Sequence, residues 1–307
     1  MLKYMIIGAG GTGGALGAYL ARGGKDVTFI ARGAHLKAMR EKGLRVVRMR
    51  DEFTIQPVKA CDMEHCDVTP DVVFVCVKGY SVDGVIPFIR RIAGPDMVVI
   101  PILNVYGTGG RMQKELPGVL VTDGCMYIAS QRKEPGVILM SGDILRVVFG
   151  VREKKDFRPV LKEIEQDLKE SEIRGILSDD IRRDALQKFA YVSPQGACGL
   201  YYDIPAGPMQ KPGEYRDTFA ELVHEIELLA QAQGIPFTGD IVKSNLDILD
   251  HVAPDMTTSM QKDIAAGRES EINGLIAEVL RMADEYHVEL PMYKKIAEEL
   301  RQRGVLS

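Results

Sequence analysis

The feature that most constrains the fold of this chain is a glycine-rich segment directly after a short apolar run at the amino end. The segment is Gly8-Ala9-Gly10-Gly11-Thr12-Gly13. It matches the pattern G-x-G-x-x-G, in which the first glycine allows a tight turn, the second lets a ligand approach the backbone, and the third lets a helix pack closely against a strand. Small and apolar residues at helical spacing follow as far as Arg22. We therefore expect a strand at residues 3–7, a turn, and a helix whose N-terminus binds the diphosphate of a dinucleotide.

Apolar runs alternate with helical patterns through the first half of the chain. Residues 26–31, 71–77 and 97–102 are apolar runs typical of buried strands. The other predicted elements are a helix at 34–42, two short strands within 44–58, and strands at 119–128, 136–140 and 145–149. Because strands that alternate with helices form parallel sheets, the first half is predicted to be a Rossmann-type domain, with the last three strands extending the same sheet.

The pattern changes near residue 150, and from residue 157 onward almost every segment has apolar residues at helical spacing. The predicted helices span 179–202, 214–233, 239–249 and 271–286, and a last helix begins near Pro291 and continues through Arg301. The 307 residues are enough for two domains of ordinary size. We therefore predict an α/β protein with a Rossmann-type parallel sheet domain at residues 1–152 and an all-helical domain at residues 153–307.

Composition excludes several classes of partner. The formal net charge is −4, so no basic field is expected to attract nucleic acid or anionic lipid. No apolar run approaches the roughly 20 residues that a membrane helix needs, and the short apolar start is unlike a signal peptide. The five cysteines are scattered along the chain and do not suggest a set of disulfides. The segment from Cys61 to Cys66 lacks a fourth ligand at a spacing that would allow it to bind zinc. We expect a cytoplasmic protein without metal, and helices with enough apolar surface to support a homodimer.

The end of the second predicted strand indicates which dinucleotide binds. An NAD enzyme usually carries Asp or Glu there to bind the ribose hydroxyls. This chain has Ala31 and Arg32 instead. Because a guanidinium can form a bidentate pair with a 2′-phosphate and stack on adenine, Arg32 predicts NADP (NADPH) rather than NAD.

Polar side chains suited to the reduction of a ketone occur where a Rossmann cleft could gather them. The reaction needs a donor that neutralises the developing alkoxide and polar groups that hold the substrate. Lys78 and Asn104 follow predicted strands, at the edge of the sheet where ligands bind. Lys188 lies in the long helix that opens the second half, and the polar stretch 258–271 leads into another helix. We expect Lys188 and the glycine segment to meet in one crevice.

These residues resemble the ketopantoate reductase (2-dehydropantoate 2-reductase) family over nearly the whole chain. The matching motifs are GAGGTGG at the amino end, Val77-Lys78, Leu103-Asn104-Val-Tyr-Gly107, and Ser259-Met-x-x-Asp263-Ile-x-x-Gly267-Arg268-x-x-Glu271. The last motif is the most specific. The resemblance implies reduction of a small 2-oxo acid by NADPH, above all of 2-dehydropantoate (ketopantoate) to pantoate in pantothenate biosynthesis.

The resemblance also implies a role for each matched residue. Lys188 corresponds to the general acid that protonates the new alkoxide, a role that suits lysine because burial and a nearby cation lower its pKa. Glu271 corresponds to a catalytic glutamate that orders the substrate. Asn104 and Ser259 correspond to groups that bind substrate or cofactor. Lys78 corresponds to a lysine near the nicotinamide and substrate, and we also place Lys78, Asn104 and Glu271 at the cofactor.

Two departures from the family pattern affect the substrate. The family usually has polar residues four and eight positions after the catalytic lysine, where this chain has Val192 and Gly196. Pro194, between them, is expected to kink the helix. A site without its hydrogen-bonding groups discriminates differently, so the substrate can differ from ketopantoate while the chemistry is kept.

Other interpretations remain open from the sequence alone. Lys188 could be an ordinary charge on a solvated helix face, Glu271 a favourable charge in the first turn of a helix, and Asn104 a turn residue. Asp263 is expected to be structural. The chain could instead be a 3-hydroxyacid dehydrogenase of the 6-phosphogluconate type, or a non-catalytic NADP-binding sensor or interaction protein.

Overall fold

The computed structural model describes residues 1–306 and divides the chain into two compact units. The first unit contains residues 1–103 and 107–181, and the second contains residues 104–106 and 182–307. The strands of the first unit are β1 (Lys3–Ile7), β2 (Asp26–Ile30), β3 (Leu44–Val47), β4 (Glu52–Ile55), β5 (Lys59–Cys61), β6 (Val72–Val75), β7 (Val98–Pro101), β8 (Leu120–Val121), β9 (Asp123–Tyr127), β10 (Ser130–Glu134), β11 (Val137–Met140), β12 (Arg146–Gly150) and β13 (Arg174–Leu177). Its helices are α1 (Gly11–Arg22), α2 (Gly33–Lys42), α3 (Val82–Ile92), α4 (Thr108–Glu115) and α5 (Val160–Glu170).

A six-stranded parallel sheet with the order β5-β2-β1-β6-β7-β8 forms the centre of the first unit. Side chains alternate between its two faces, so both faces are apolar. Ile6 and Phe74 pack on one face in the same core as α1 and α5, while Ile7 and Val75 pack on the other face in a core with α3 and α4. This is the predicted Rossmann-type arrangement, in which the order of the strands brings the ends of β1 and β6 side by side.

Two smaller sheets correct the prediction for residues 119–149. Only β8 joins the six-stranded sheet. The four-stranded sheet has the order β10-β11-β3-β4, and the three-stranded sheet has the order β13-β12-β9. The expected extension of one sheet by strands at 136–140 and 145–149 is therefore wrong. Strand β9 pairs antiparallel with β12, and β11 pairs with β3, so each finds its partner outside the main sheet.

The division of the chain falls at Ile181–Arg182 rather than at the predicted position near residue 152. Strand β13 pairs with β12, and α5 buries Leu161 and Leu168 in the core of the first unit. The segment between residues 153 and 181 therefore completes the first unit, although its apolar spacing is mostly helical.

The second unit is helical throughout the part that the structure describes. Its elements are α6 (Ile181–Tyr202), α7 (Ala206–Met209), α8 (Glu214–Ala232), α9 (Ile241–His251), α10 (Ser259–Ala265), a π-helical segment (Asn273–Ala277), α11 (Glu278–Tyr286) and α12 (Pro291–Gln302). They enclose one apolar core. Within residues 1–306, no helix has both the length and the apolar character that crossing a bilayer requires.

Helix α6 continues through Pro194 without a break. A proline has no N–H, so the carbonyl four residues earlier, that of Ala190, loses its helical donor. Asn245 of α9 is buried and donates its side-chain N–H to this carbonyl at 3.0 Å. The second unit thus supplies the bond that the proline removes, and the long helix that carries Lys188 remains intact.

Candidate active site

The glycine segment forms a tight turn between β1 and α1, and at two of its three motif glycines a side chain would collide with Cys76. Gly8 has a φ of 97°, and a Cβ there would lie 2.9 Å from the Cys76 carbonyl oxygen. A Cβ at Gly13 would lie 2.8 Å from Cys76 Cβ, so α1 packs directly against the residue that follows β6. A Cβ at Gly10, by contrast, would meet nothing within 4 Å. The backbone is therefore open at Gly10, where a diphosphate would have to approach the first-turn N–H groups of α1.

The carboxyl end of β2 is followed by a basic residue and by no acidic residue in the next helical turn. Arg32 is exposed, and it is the N-cap residue of α2, where its backbone is extended. No acidic side chain lies in the first turn of α2. The structure thus places a cation, and no carboxylate from that turn, at the position that contacts the adenosine ribose in Rossmann-type proteins.

Lys188 and Asn104 are in direct contact. The Lys188 Nζ donates to Asn104 Oδ1 at 2.9 Å, and both residues are half-buried. Both also belong to the second unit, because residues 104–106 pack with the helices. Two residues that are far apart in the sequence and that were predicted separately as site residues therefore lie together.

The segment 104–106 is held firmly against the helices. The Tyr106 ring packs against the Phe189 ring, one residue after Lys188, with 6.1 Å between centroids. Val105 packs against Gly274 of the π-helical segment, where a Cβ would lie 2.5 Å from a Val105 methyl group. These contacts fix the two residues that follow Asn104, and so they help to hold its amide at the lysine.

Glu271, Ser259 and Asp263 occupy three different settings in the second unit. Glu271 is buried, and its backbone carbonyl accepts from Leu275 at the start of the π-helical segment. Ser259 is exposed at the first position of α10. Asp263 accepts two bonds on Oδ1 from the Arg268 guanidinium, at 3.0 and 2.9 Å, which agrees with a structural role. The contribution of Glu271 and Ser259 to a site stays a prediction.

Lys78 belongs to the first unit. It is half-buried and lies directly before the short 3-10 turn at Gly79–Ser81, shortly after β6 ends. This is the carboxyl end of a central strand, next to the end of β1, where the glycine segment begins. Its role, and the meeting of the glycine segment with Lys188, stay predictions.

The two departures from the family pattern lie on α6. Val192 is half-buried. Gly196 is buried, and a Cβ there would lie 2.6 Å from the terminal methyl group of Met260, which is itself buried. A methionine thus fills the space into which a side chain at position 196 would project, and both positions are lined by apolar groups.

One residue of the dinucleotide region was not predicted from the sequence. His35 of α2 is buried, and its Nε2 lies 2.7 Å from the carbonyl oxygen of Ala9 in the glycine segment. A lone histidine on a short helix has no spacing pattern that would reveal such a contact. No group of three or more metal-ligating side chains is arranged to hold a metal ion in the described part of the chain.

Models of a known family match both parts of the chain. The model described as "Ketopantoate reductase PanE/ApbA" matches residues 4–154, and the model of its C-terminal part matches residues 180–304. This chain belongs to the ketopantoate reductase PanE/ApbA family. As a member of this family, it is a pyridine-nucleotide-dependent oxidoreductase, so the 6-phosphogluconate type and the non-catalytic sensor are set aside.

Relatives of the ketopantoate reductase family align with the chain from end to end. The "uncharacterized oxidoreductase YkpB" of Bacillus subtilis is 24% identical over 300 residues, covering 98% of both proteins. A crystal structure of 2-dehydropantoate 2-reductase from Porphyromonas gingivalis is 28% identical, with a TM-score of 0.84 and coverage of 98% of this chain and 99% of that one. A D-mandelate dehydrogenase, solved with NADH and anilino(oxo)acetate, has the same fold at 19% identity, with a TM-score of 0.86 and coverage of 98% of both chains.

Proposed function

We propose that this protein reduces the ketone of a small 2-oxo acid with NADPH, and that Lys188 is the general acid. The observation that carries the proposal is the bond of 2.9 Å between Lys188 Nζ and Asn104 Oδ1 in a member of this family. An amide oxygen that accepts from the ammonium fixes the position of Nζ, from which the lysine would donate to a substrate oxygen.

The residues present suit a bound NADPH. The open backbone at Gly10 and the first turn of α1 would hold the diphosphate, and Arg32 would pair with the 2′-phosphate. When bound, the nicotinamide supplies the hydride that the carbonyl carbon receives. The chain itself supplies orientation, and the third glycine of the motif keeps α1 close enough to β1 for its N–H groups to face the ligand.

Lys188 would move the proton that balances the reaction. As negative charge develops on the ketone oxygen, the Lys188 ammonium stabilises it and then transfers one proton to it, which gives the hydroxyl group and a neutral amine. Solvent returns the proton to the amine. Asn104 keeps Nζ in place through these steps, and Glu271, Ser259 and Lys78 are proposed to hold the substrate and the cofactor.

Two substrates within this class are candidates. The first is 2-dehydropantoate, on which the P. gingivalis relative acts according to its name. The second is a 2-oxo acid with an apolar side chain, like the ligand of the D-mandelate dehydrogenase that shares the fold. Val192 and Gly196 favour the second, because neither residue has a side-chain group that could form a hydrogen bond with a substrate hydroxyl.

The test is the oxidation of NADPH by the purified protein with a panel of 2-oxo acids, including 2-dehydropantoate and acids with aliphatic or aromatic side chains. We expect turnover on at least one of them. Lys188→Ala should lower kcat by roughly 10²- to 10⁴-fold, the usual contribution of a general acid, and change the Kd for NADPH little.

Gln187→Ala is the matched control, because Gln187 is the exposed neighbour of Lys188 on the same helix. It should keep the kcat of the original protein. A Lys188→Ala variant with unchanged kcat would exclude the general-acid role, and NADPH binding without turnover on any acid of the panel would exclude the proposed substrate class.

A further inference from the structure

His35 connects three pieces of the first unit through its imidazole ring. It lies in the first turn of α2 and is 4% exposed. Its Nε2 is 2.7 Å from the Ala9 carbonyl oxygen in the glycine segment. Its Nδ1 is 2.9 Å from the backbone nitrogen of Gly136, in the turn between β10 and β11. One buried side chain therefore bonds the glycine segment and the β10–β11 hairpin to the helix that follows Arg32.

The partners of the ring fix its protonation state. The Gly136 N–H can only donate, so Nδ1 must be the bare, accepting nitrogen. The Ala9 carbonyl can only accept, so Nε2 must carry the hydrogen. His35 is therefore neutral with the proton on Nε2. A second proton on Nδ1 would point at the Gly136 N–H, and the ring could not keep both bonds.

The hairpin that His35 holds lies directly on the glycine segment. A Cβ at Gly11 would be 2.7 Å from the Ser130 carbonyl oxygen of β10, and a Cβ at Gly14 would be 2.7 Å from the side chain of Ile138 in β11. Gly136 approaches α2 closely as well, where a Cβ would lie 3.2 Å from that of Ala38. The hairpin and the glycine segment are thus in backbone contact, and a shift of one requires a shift of the other.

We propose that His35 is a positioning residue for the dinucleotide, and that its neutral ring holds Ala9, and with it the open backbone at Gly10, in the conformation that receives the diphosphate. The inference rests on the proposed dinucleotide site, and it adds a dependence on proton concentration. Protonation of His35, or loss of its two bonds, weakens cofactor affinity while the step at Lys188 is unchanged.

The charges around the ring favour its neutral form. Burial lowers the pKa of His35, the bond to Ala9 raises it in part, and the charge of Arg132 on β10 lowers it further. The glycine segment itself has no titratable side chain. The charged residues near His35 in the sequence are Arg32, which precedes α2, and Lys37 of α2, and both are exposed.

The direction of the pH effect follows from this. A histidine whose pKa is lowered in the folded protein is neutral above the ordinary value of about 6.5. As the pH falls below that value, protonation competes with the two bonds, and the affinity for the cofactor declines by at most about tenfold per pH unit.

The experiment measures the Kd of NADPH and NADH by calorimetry between about pH 5.5 and 8.5, around the ordinary histidine pKa. NADH is included because a 2′-phosphate titrates near pH 6, as other phosphate monoesters do, and would add its own pH dependence. The variants are His35→Phe, which keeps a ring without polar atoms, and His35→Gln, whose amide offers one donor and one acceptor and does not titrate. His65→Gln removes an exposed histidine of the same unit as a control.

We expect the Kd of NADH to rise at low pH in the original protein and in His65→Gln, and to stay flat in His35→Gln. His35→Phe should weaken binding roughly 10-fold or more at pH 8, from the loss of two bonds of ordinary strength. His35→Gln should recover part of that loss, with kcat at saturating cofactor unchanged in both.

Three outcomes would overturn the inference: the same pH curve in the original protein and in His35→Gln, an unchanged Kd in His35→Phe, or an affinity that increases on acidification, as attraction between an imidazolium and the diphosphate would give. Circular dichroism spectra show whether His35→Phe is folded. If it is misfolded, the pH dependence of cofactor binding in His35→Gln decides whether the inference holds. If the cofactor binds with this pH dependence but no 2-oxo acid is turned over, the proposed function is rejected and the role of His35 is kept. If no cofactor binds at any pH, both proposals are rejected.

Discussion

Arg32 is the residue on which we predict that the choice between the two nicotinamide cofactors depends. It is exposed at the end of β2, and the first turn of α2 offers no acid in its place. A guanidinium that pairs with a phosphate contributes through charge-assisted hydrogen bonds, which are worth about 1.5–3 kcal/mol each. NADH has no group that could use them, so the cationic side chain should distinguish the cofactors by affinity.

We therefore expect Arg32→Ala to raise the KM for NADPH by roughly 10- to 100-fold, in proportion to that energy, and to change the KM for NADH by less than about threefold. Steady-state kinetics with both cofactors give the two ratios. Lys37→Ala is the control, because it removes one positive charge from an exposed position of the same helix. Equal losses with NADPH and NADH, or a preference of the original protein for NADH, would contradict the assignment.

Among the elements, α6 shows how a helix can include a proline in its interior. Helix α6 continues through Pro194, and Asn245 of α9 donates to the Ala190 carbonyl, which the proline leaves without its helical N–H donor. The kink at this position stays a prediction. On the same helix, Ser193 Oγ donates to the Leu275 carbonyl at 2.5 Å and lies 2.6 Å from the Tyr293 hydroxyl. The helix that carries Lys188 is thus fixed by polar bonds to its neighbours as well as by its apolar faces.

Asn245→Ala should destabilise the protein by about 1–3 kcal/mol, because it leaves a buried carbonyl without a donor. Urea unfolding measures the change. In a Pro194→Ala background the helix provides its own N–H to Ala190, so there the same substitution should cost clearly less. Equal costs of Asn245→Ala in the two backgrounds would show that the bond to Ala190 is not what makes Asn245 important.

At the scale of the whole molecule, the sequence predicted what local patterns encode and failed where pairing is non-local. Strands β1, β2, β6 and β7, the glycine turn and helices α1 and α2 followed from period and composition, and so did the long helices of the second unit. Helices α3 and α4 were not predicted individually. Strand β10 was missed because its sequence, SQRKE, is polar and mostly exposed, and it contacts the glycine segment through its backbone. Strand β13 was missed because its four residues lie between helical patterns.

The candidate site shows the same limit. Lys188 and Asn104 could be named from the family motif, and Gly8, Gly10 and Gly13 from the geometry that the motif requires. The two bonds of His35 could not be predicted, because they depend on backbone atoms of Ala9 and Gly136, and any residue at those positions has the same groups. The filling of the space beside Gly196 by Met260 depends on how α10 packs against α6, which the sequence of neither helix specifies.

Residues 104–106 belong to the helical unit, and this affects how domains can be exchanged between such proteins. Because the chain enters that unit and leaves it again before returning at Arg182, the partner of Lys188 is encoded far upstream of the lysine itself. A gene fusion that joins residues 182–307 to a foreign nucleotide-binding domain would contain Lys188 but would lack Asn104. Exchange of catalytic modules in this architecture therefore needs two cuts instead of one, which favours divergence by point substitution over shuffling.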